Sequence, residues 1–435
     1  MNTNISTNLP TQTPKLKFRY TVVIWLLIGG MINYLDRSIL SIAAPKMMTD
    51  LGFSATDIGL LGTAFSWSYA VMQLPSGWLI DRFGAKKVYT LGVLIWSAAT
   101  FFSGMVAALW VFVLLRILLG AGEAPCFPTS AKVTANWYPK KERGLITGIW
   151  DSSSKWGPAL APPLLIFIMV TFGWRELFYF AGLIGGIFAV LFFIFYQNPN
   201  KSKKLSKKEL AYIEANGSGK EQRTKDSNIN WLSLFKYRSV WGMIFGYFCT
   251  IWIWNIFLVF LPLYLLDVYQ ISLAELGIYA SIPWIGGAFG NITGGYLTKK
   301  MVDLGWTTAM KSRQIFISIC AVLTAVCVIL LPFMNSIAST ITLMTLALAF
   351  ISAITGNAWA LATDVAPSSM VASVGSIQNF GGYFGGAFSP VVAGFIVEST
   401  GSYSLAFISG GIIVGCAAIC YLFIVKNPIK EETTS

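Results

Sequence analysis

Six charged side chains stand inside otherwise apolar stretches of the sequence, where they are suited to binding ions and moving protons. They are Asp36, Arg37, Arg116, Glu123, Asp151 and Lys155. A guanidinium group offers a fork of donors that matches a carboxylate, and a carboxylate can take up and release a proton. The chain has no His, so catalysis by histidine is excluded. These residues therefore indicate a site that binds an anion and carries protons.

The elements that must position these charges are membrane spans. Of the 435 residues, 55% are hydrophobic and 11% are charged, whereas soluble globular proteins have about 25% charged residues. The apolar blocks are about 20 residues long, enough to cross ~30 Å of hydrocarbon. Hydropathy predicts twelve spans, at about 20–43, 57–80, 88–106, 109–129, 145–170, 177–196, 240–266, 276–298, 315–334, 337–363, 371–397 and 403–425. A soluble enzyme with one large core is therefore excluded.

A polar stretch at 198–238 separates the sixth span from the seventh. Its composition is typical of a linker, with a short amphipathic helix predicted at about 206–214. We therefore predict an N-terminal six-helix bundle at 1–197, a linker at 198–238 and a C-terminal six-helix bundle at 239–435.

The positive charges predict the orientation of the chain. Of the 31 Lys and Arg residues, 26 lie near the chain ends, in the linker or in the loops predicted on the linker's side. Because positively charged loops stay in the cytoplasm, we expect both termini and the linker to be cytoplasmic. The net charge of +12 then reflects topology and contact with the anionic lipid bilayer, and we expect no nucleic-acid partner.

The two halves of the chain repeat weakly. Residues 228 positions apart match at Gly157 and Gly385, and Asp151 corresponds to Asn379 in the same alignment. Internal repeats of this kind are typical of secondary transporters, whose sites lie near the membrane midplane between the repeats. We therefore expect a central site to which both halves contribute.

A motif of glycines and charges follows the second span. Gly77, Asp81, Arg82 and Gly84 stand in the pattern Gly-x-x-x-Asp-Arg-x-Gly-x-Lys-Lys, in which glycine permits a tight turn. The pattern resembles the loop 2–3 motif of the major facilitator superfamily, and a degraded copy begins at Gly294. The resemblance implies an all-α membrane protein with twelve transmembrane helices in two six-helix bundles, the major facilitator fold. It also implies that the four residues form a gating motif.

Segments of spans 1, 2 and 4 carry a narrower resemblance. They include Asn33-Tyr34-Leu35-Asp36-Arg37, Gln73-Leu74-Pro75-Ser76-Gly77 and Gly122-Glu123-Ala124-Pro125. These segments resemble the anion:cation symporter family, above all its bacterial sugar-acid branch of galactonate and glucarate proton symporters. The resemblance implies a transporter rather than an enzyme, which imports a hexonate, hexuronate or hexarate with protons across the bacterial inner membrane. We expect a monomer without a cofactor or a metal ion.

The buried charges are expected to form two layers. The outer layer contains Asp36, Arg37 and Arg116, and the inner layer contains Glu123, Asp151 and Lys155. A charge at mid-bilayer costs at least ~2.5 kcal/mol and marks a transport pathway. We predict that Arg37 and Arg116 bind the substrate carboxylate, with Asp36 and Glu123 as the proton carriers. The other substrate contacts are predicted at Tyr69, Asp151, Lys155, Trp359, Gln378, Asn379 and Tyr383.

Plainer interpretations of these residues stay open. Asp36 and Arg37 would form an interfacial pair at the outer mouth, or Arg116 would only brace Asp36. Glu123 would be a structural carboxylate. Tyr69, Trp359 and Tyr383 would be ordinary packing residues or part of the interfacial aromatic belt. Asp364 is expected at a helix end or a gate. The same scaffold also suits an exchanger or a uniporter for another carboxylate, whereas a lipophilic-cation exporter should lack the two buried Arg residues.

Asp151 and Lys155 depart from the sugar-acid branch, in which this stretch looks neutral. Standing four residues apart on a helix, they would neutralise each other. Alternatively, Lys155 would bind a second substrate carboxylate, or would hold Glu123 ionised and change the proton coupling. The sequence therefore leaves open whether the substrate has one carboxylate or two.

Overall fold

The structure, a computed structural model, describes residues 18–215, 218, 231–271 and 273–429. These residues form helices and short connections, with no β-strand among them. The first half comprises α1 (Arg19–Leu51), α2 (Ala55–Phe83), α3 (Ala85–Ser103), α4 (Leu109–Glu123), α5 (Cys126–Trp137), α6 (Lys140–Asp151), α7 (Ser153–Phe172) and α8 (Trp174–Phe195). The linker contains α9 (Lys207–Ala215). The second half comprises α10 (Arg238–Tyr269), α11 (Leu273–Asp303), α12 (Ala309–Leu330), α13 (Ile337–Val365), α14 (Val371–Thr400) and α15 (Tyr403–Ile419).

The twelve predicted spans are present, and two of them are broken. Span 4 consists of α4 and α5, because Pro125 lacks the N–H that would continue the helical ladder. Span 5 consists of α6 and α7, and at Ser152 the ladder tightens: the N–H of Lys155 donates to the carbonyl of Ser152 over 2.9 Å. Each break follows a carboxylate, since Glu123 ends α4 and Asp151 ends α6.

Most of these helices are apolar enough to cross a membrane by themselves. Within the described residues, nine helical runs meet both the length and the hydropathy expected of a membrane span. The other three, α2, α3 and α11, contain 29, 19 and 31 residues. They are long enough to span but less apolar. Some polar residues of these helices contact the other half of the chain, as described below.

Two seams join the halves. Within the first half, α1 packs on α7 and α3 on α8; within the second half, α10 packs on α14 and α11 on α13. Between the halves, α2 packs on α14, while α6 and α7 pack on α11. We call these the α2–α14 seam and the α6–α11 seam. Glycine allows the helices to approach closely at both seams. At the α6–α11 seam, a Cβ on Gly148 of α6 would lie 2.5 Å from the carbonyl oxygen of Asn291.

The linker helix α9 binds the start of α1. The Glu209 carboxylate accepts hydrogen bonds from the backbone N–H groups of Phe18 and Arg19 at 3.1 and 3.4 Å. The Arg19 guanidinium and the Tyr212 hydroxyl both donate to Oε1 of Glu142 at 2.9 Å. Burial, with Glu142 beside it, raises the pKa of the Tyr212 phenol, so the phenol stays a donor. These contacts join α9, α1 and α6.

The helix predicted at about 206–214 is therefore confirmed as α9. We call the face of the molecule that carries α9 the linker side and the opposite face the far side. Residues 1–17, 216–217, 219–230, 272 and 430–435 lie outside the described residues. The predicted cytoplasmic location of the two termini falls on those residues and stays a prediction.

Candidate functional site

A cavity of about 490 Å³ lies between the two halves at the centre of the molecule. Pockets of 300–1,000 Å³ are typical of small-molecule sites. Nine aromatic side chains line it: Tyr34, Phe65, Tyr69, Phe127, Tyr247, Trp254, Trp284, Trp359 and Tyr383. The charged residues of the wall are Arg37, Asp151 and Lys155. Along α1, α7 and α10 the wall continues toward the far side through Ser41, Pro158 and Leu258.

Arg37 is the cation on the α1 wall, and two of its nitrogens are already engaged. Its Nε donates to Oε2 of Glu123 over 2.8 Å, and its Nη1 donates to the Tyr383 hydroxyl over 2.7 Å. Its Cζ lies 4.5 Å from the centroid of the Tyr69 ring, a cation–π distance. The side chain is 15% exposed. A cavity-bound anion would therefore meet a guanidinium that already holds a carboxylate and a phenol.

A buried group of charges lies behind Arg37. Glu123 is fully buried, and Asp36 and Arg116 are 1% and 4% exposed. Among the described residues, neither carboxylate oxygen of Asp36 has a hydrogen-bond partner, nor has Nε of Arg116. The expectation of two separate layers is wrong for Arg37 and Glu123, because the long Arg37 side chain reaches across to the carboxylate. Of these three buried residues, Glu123 contacts the cavity wall, through its hydrogen bond from Arg37.

Two of the predicted substrate contacts lie outside the cavity wall in this conformation. Arg116 is among the buried charges just described, and Gln378 is fully buried in α14. Both amide atoms of Gln378 lack hydrogen-bond partners within the described part of the chain. The sequence predicts how deep a residue lies along a membrane helix. It does not predict toward which side of the helix axis the side chain points. Contact of these two residues with a substrate stays a prediction.

Asp151 and Lys155 form a cluster with the second half at the α6–α11 seam. Oδ2 of Asp151 accepts from Nδ2 of Asn291 at 2.6 Å, from the Thr355 hydroxyl at 2.9 Å and from Nζ of Lys155 at 3.1 Å. Nζ of Lys155 also donates to the Thr355 hydroxyl at 3.1 Å. It lies 4.9 Å from the centroid of the Trp254 ring. This cluster therefore links α6, α7, α11 and α13.

The other predicted contacts in the wall are aromatic or amide side chains. The ring centroids of Tyr69 and Tyr383 are 4.5 Å apart across the α2–α14 seam. Nδ2 of Asn379 donates to the Tyr69 hydroxyl over 3.4 Å. Trp359 stacks on Phe127 with a centroid distance of 6.0 Å. Such a wall suits a ligand with hydroxyl groups along an apolar edge.

Sequence reasoning missed several residues of the wall. Tyr34, Ser38 and Ser41 stand with Arg37 on one face of α1, and their i, i+3, i+4, i+7 spacing could have predicted this. Thr355 precedes Trp359 by one helical turn, so the same helical spacing could have predicted that both residues line the wall. Asn291, by contrast, is recognised only through its partner Asp151, which is 140 residues away in the sequence.

Asp81 of the predicted gating motif is buried and joins the halves on the linker side. Its Oδ1 accepts from Nζ of Lys132 at 2.7 Å, and its Oδ2 accepts from both the N–H and the hydroxyl of Ser373 at 2.8 Å. Ser373 stands in the first turn of α14, where the helix dipole favours a negative charge. Nζ of Lys132 also donates to the carbonyl of Ser368 at 2.6 Å. This group therefore links α2 and α5 with the start of α14.

The other residues of the motif shape the same region. A Cβ on Gly77 would lie 2.7 Å from the carbonyl oxygen of Ala372, so glycine allows the α2–α14 contact. Gly84 ends α2 with a φ of 91°, which favours glycine. Arg82 stacks over Trp78, with Cζ 5.0 Å from the ring centroid. Its contacts therefore lie within the first half.

A second ion cluster joins the halves beside this one. Nη1 of Arg143 donates to the carbonyl of Thr363 over 2.6 Å and lies 3.9 Å from Asp364. Arg313 pairs with Asp364 and donates to the carbonyl of Lys140 over 2.8 Å. The sequence predicted Asp364 at a helix end or a gate but treated the two arginines only as loop charges. Both clusters therefore join the two halves on the linker side.

The sequence is similar to proteins of a known family. Residues 26–390 and 304–435 match the Major Facilitator Superfamily. The "Probable L-galactonate transporter" of Escherichia coli (strain K12) is 37% identical over 415 residues, which cover 95% of this chain and 91% of that protein. The "Probable galactarate/D-glucarate transporter GarP" of the same strain is 33% identical over 432 residues, which cover 95% and 96%.

A solved structure has the same fold. The proton:xylose symporter XylE bound to 6-bromo-6-deoxy-D-glucose superimposes with a TM-score of 0.75 at 14% identity. The likeness covers 95% of this chain and 98% of that chain. At this level of identity it concerns the fold alone, and it confirms the predicted all-α, twelve-helix architecture.

Proposed function

We propose a specific activity for this chain, which belongs to the Major Facilitator Superfamily and is therefore a multi-pass membrane transporter rather than an enzyme. The proposed activity is import of a sugar acid (a hexonate, hexuronate or hexarate) together with protons. The observation that carries the proposal is that Arg37 lines the cavity and also donates a hydrogen bond to the buried carboxylate of Glu123.

The composition of the cavity wall supports a sugar acid as the substrate. Arg37 and Lys155 provide positive charge for a carboxylate, and the hydroxyl and amide groups of Tyr69, Tyr383 and Asn379 suit the hydroxyls of a sugar chain. The relatives named above are described as transporters of galactonate and of galactarate or glucarate. A neutral sugar would offer neither cation a carboxylate.

In this mechanism, proton uptake is coupled to substrate binding because Glu123 and the substrate carboxylate compete for Arg37. The guanidinium donates to Glu123 over 2.8 Å. Losing one partner of a buried ion pair costs about 3–5 kcal/mol, so a substrate carboxylate binds best when it replaces Glu123 as the partner. A proton on Glu123 allows that replacement. Asp36, buried beside the same group, is the second proposed proton carrier.

Release reverses these steps on the other side of the membrane. We propose that the linker side is cytoplasmic and that the membrane is the bacterial inner membrane. The cavity wall extends toward the far side, while the clusters around Asp81 and Asp364 join the halves on the linker side. Rocking of the halves 1–197 and 239–435 would break these clusters. Deprotonated Glu123 would then regain Arg37 and expel the substrate.

Uptake by purified protein in proteoliposomes tests the proposal. With an acidic exterior, labelled hexonates, hexuronates and hexarates are compared with a neutral hexose. We expect at least one sugar acid to accumulate, and a protonophore to abolish the accumulation. Uptake of the neutral hexose alone would contradict the proposed substrate class. Sugar-acid uptake that ignores the pH gradient would identify a uniporter or an exchanger instead.

A further inference from the structure

The two cations of the cavity stand at different seams between the halves. Arg37 contacts Tyr69 of α2 and Tyr383 of α14, the helices of the α2–α14 seam. Lys155 stands on α7 and contacts Thr355 of α13 at the α6–α11 seam. Each cation therefore has its own surroundings, at a different seam of the same cavity.

Lys155 is not required to satisfy its neighbour Asp151. The carboxylate already accepts a hydrogen bond from a neutral group of the second half, Asn291 at 2.6 Å. The Thr355 hydroxyl, at 2.9 Å, has one proton, for which Asp151 and the Ser352 carbonyl compete at equal distance. The bond from Lys155 is the longest of the three, at 3.1 Å. Nζ of Lys155 has three N–H groups, of which Asp151 and Thr355 engage two. Lys155 can therefore gain an anionic partner while Asp151 keeps the hydrogen bond from Asn291.

Charge balance favours a dianion. The six charged residues identified within the spans comprise three cations and three carboxylates. If all are ionised, their charges cancel. Protons on both proposed carriers, Asp36 and Glu123, leave two positive charges in excess. A monoanion would compensate one of them, whereas a dianion would compensate both, which matters in a region of low dielectric constant.

We infer that Lys155 is a second carboxylate site and that the cavity selects sugar acids with a carboxylate at each end. One carboxylate binds Arg37 and the other binds Lys155, so that the sugar chain connects the two seams. The inference rests on the proposed function, since it specifies the class of sugar acid that the site takes. The alternative is that Lys155 and Asp151 only form a structural ion pair.

The test compares a hexarate with the hexonate of the same stereochemistry, such as galactarate with galactonate. Apparent affinities for both are measured by pH-driven uptake into proteoliposomes. Wild-type protein should favour the hexarate. The double variant Asp151→Asn/Lys155→Met removes the pair without leaving a lone buried charge, and its hexarate-to-hexonate preference should fall about 10-fold or more. Lys155→Arg, which keeps the positive charge, should retain the preference for the hexarate.

Lys46→Met is the matched control. Lys46 also pairs with an aspartate four residues away, but its side chain is 63% exposed, so this variant should keep the wild-type preference. An unchanged preference in the double variant, or a wild-type protein that favours the hexonate, would overturn the inference. If wild-type protein transports no hexonate, hexuronate or hexarate at all, the proposed function fails as well. Competition binding to wild-type protein in detergent gives the same comparison without a variant.

Discussion

Arg37 and Glu123 are joined at the centre of the protein by a hydrogen-bonded ion pair, with Nε of the guanidinium 2.8 Å from Oε2 of the carboxylate. Arg37 belongs to α1 and lines the cavity, whereas Glu123 ends α4 and is fully buried. The pair therefore connects a position that a substrate can reach with one that it cannot. In the proposed mechanism, a change of protonation at Glu123 alters what Arg37 can bind.

The first prediction concerns the guanidinium of Arg37. Arg37→Lys keeps the charge but loses the fork of donors that binds Tyr383 together with either Glu123 or the substrate carboxylate that replaces it. Hydrogen bonds to charged groups contribute ~1.5–3 kcal/mol, so substrate affinity should fall about 10-fold or more. Substrate binding in detergent measures this. Arg116→Lys, outside the cavity wall, should weaken binding much less; an equal loss in both variants would restore Arg116 as a direct contact.

The second prediction concerns the two buried carboxylates. Asp36→Asn and Glu123→Gln imitate the protonated state. They should impair accumulation driven by a pH gradient more than substrate counterflow, which needs no net proton movement. Both are measured in the same proteoliposomes. Undiminished pH-driven accumulation in both variants would remove these carboxylates from the coupling mechanism.

The third prediction concerns the contact of Asp81 with α14. Asp81→Asn weakens the bonds to Lys132 and Ser373 and should shift the protein toward a state that is open on the linker side. Spin labels on Lys87 in the first half and Lys311 in the second should then report longer distances. Asp303→Asn, an exposed acid at the corresponding end of α11, is the control. Identical distance distributions in wild type and Asp81→Asn would contradict the proposed gate.

The fourth prediction concerns the linker helix. Glu209 is 1% exposed and caps the first turn of α1. Glu209→Ala should lower the free energy of unfolding by about 0.5–2 kcal/mol, the usual contribution of a helix cap. Thermal melting in detergent measures the loss, and Glu214→Ala, at an exposed position of α9, is the control. Equal melting temperatures for both variants would show that α9 does not stabilise α1.

Hydropathy and motifs predicted the spans because their signals are local. Twenty apolar residues identify a membrane helix wherever they stand, and a charge inside such a helix is recognisable without its partner. The boundaries of the two bundles, at 197/198 and 238/239, remain predictions.

Side-chain partners that are distant in the sequence could not be predicted in the same way. Lys132 and Arg313 looked like ordinary cytoplasmic loop charges, yet both are buried beside carboxylates. Their roles depend on how the halves meet, which no local pattern encodes. The rotation of α4 and α14 about their axes, which turns Arg116 and Gln378 away from the cavity, likewise depends on packing.

Substrate-driven proton entry tests the central claim most directly. Proteoliposomes contain a pH-sensitive dye, have no initial pH gradient, and are clamped at zero membrane potential with potassium and valinomycin. Addition of the transported sugar acid outside should acidify the interior in wild type. In Glu123→Gln the acidification should be strongly reduced while counterflow persists. Sugar-acid entry into wild-type vesicles without acidification would contradict proton symport through the Arg37–Glu123 pair.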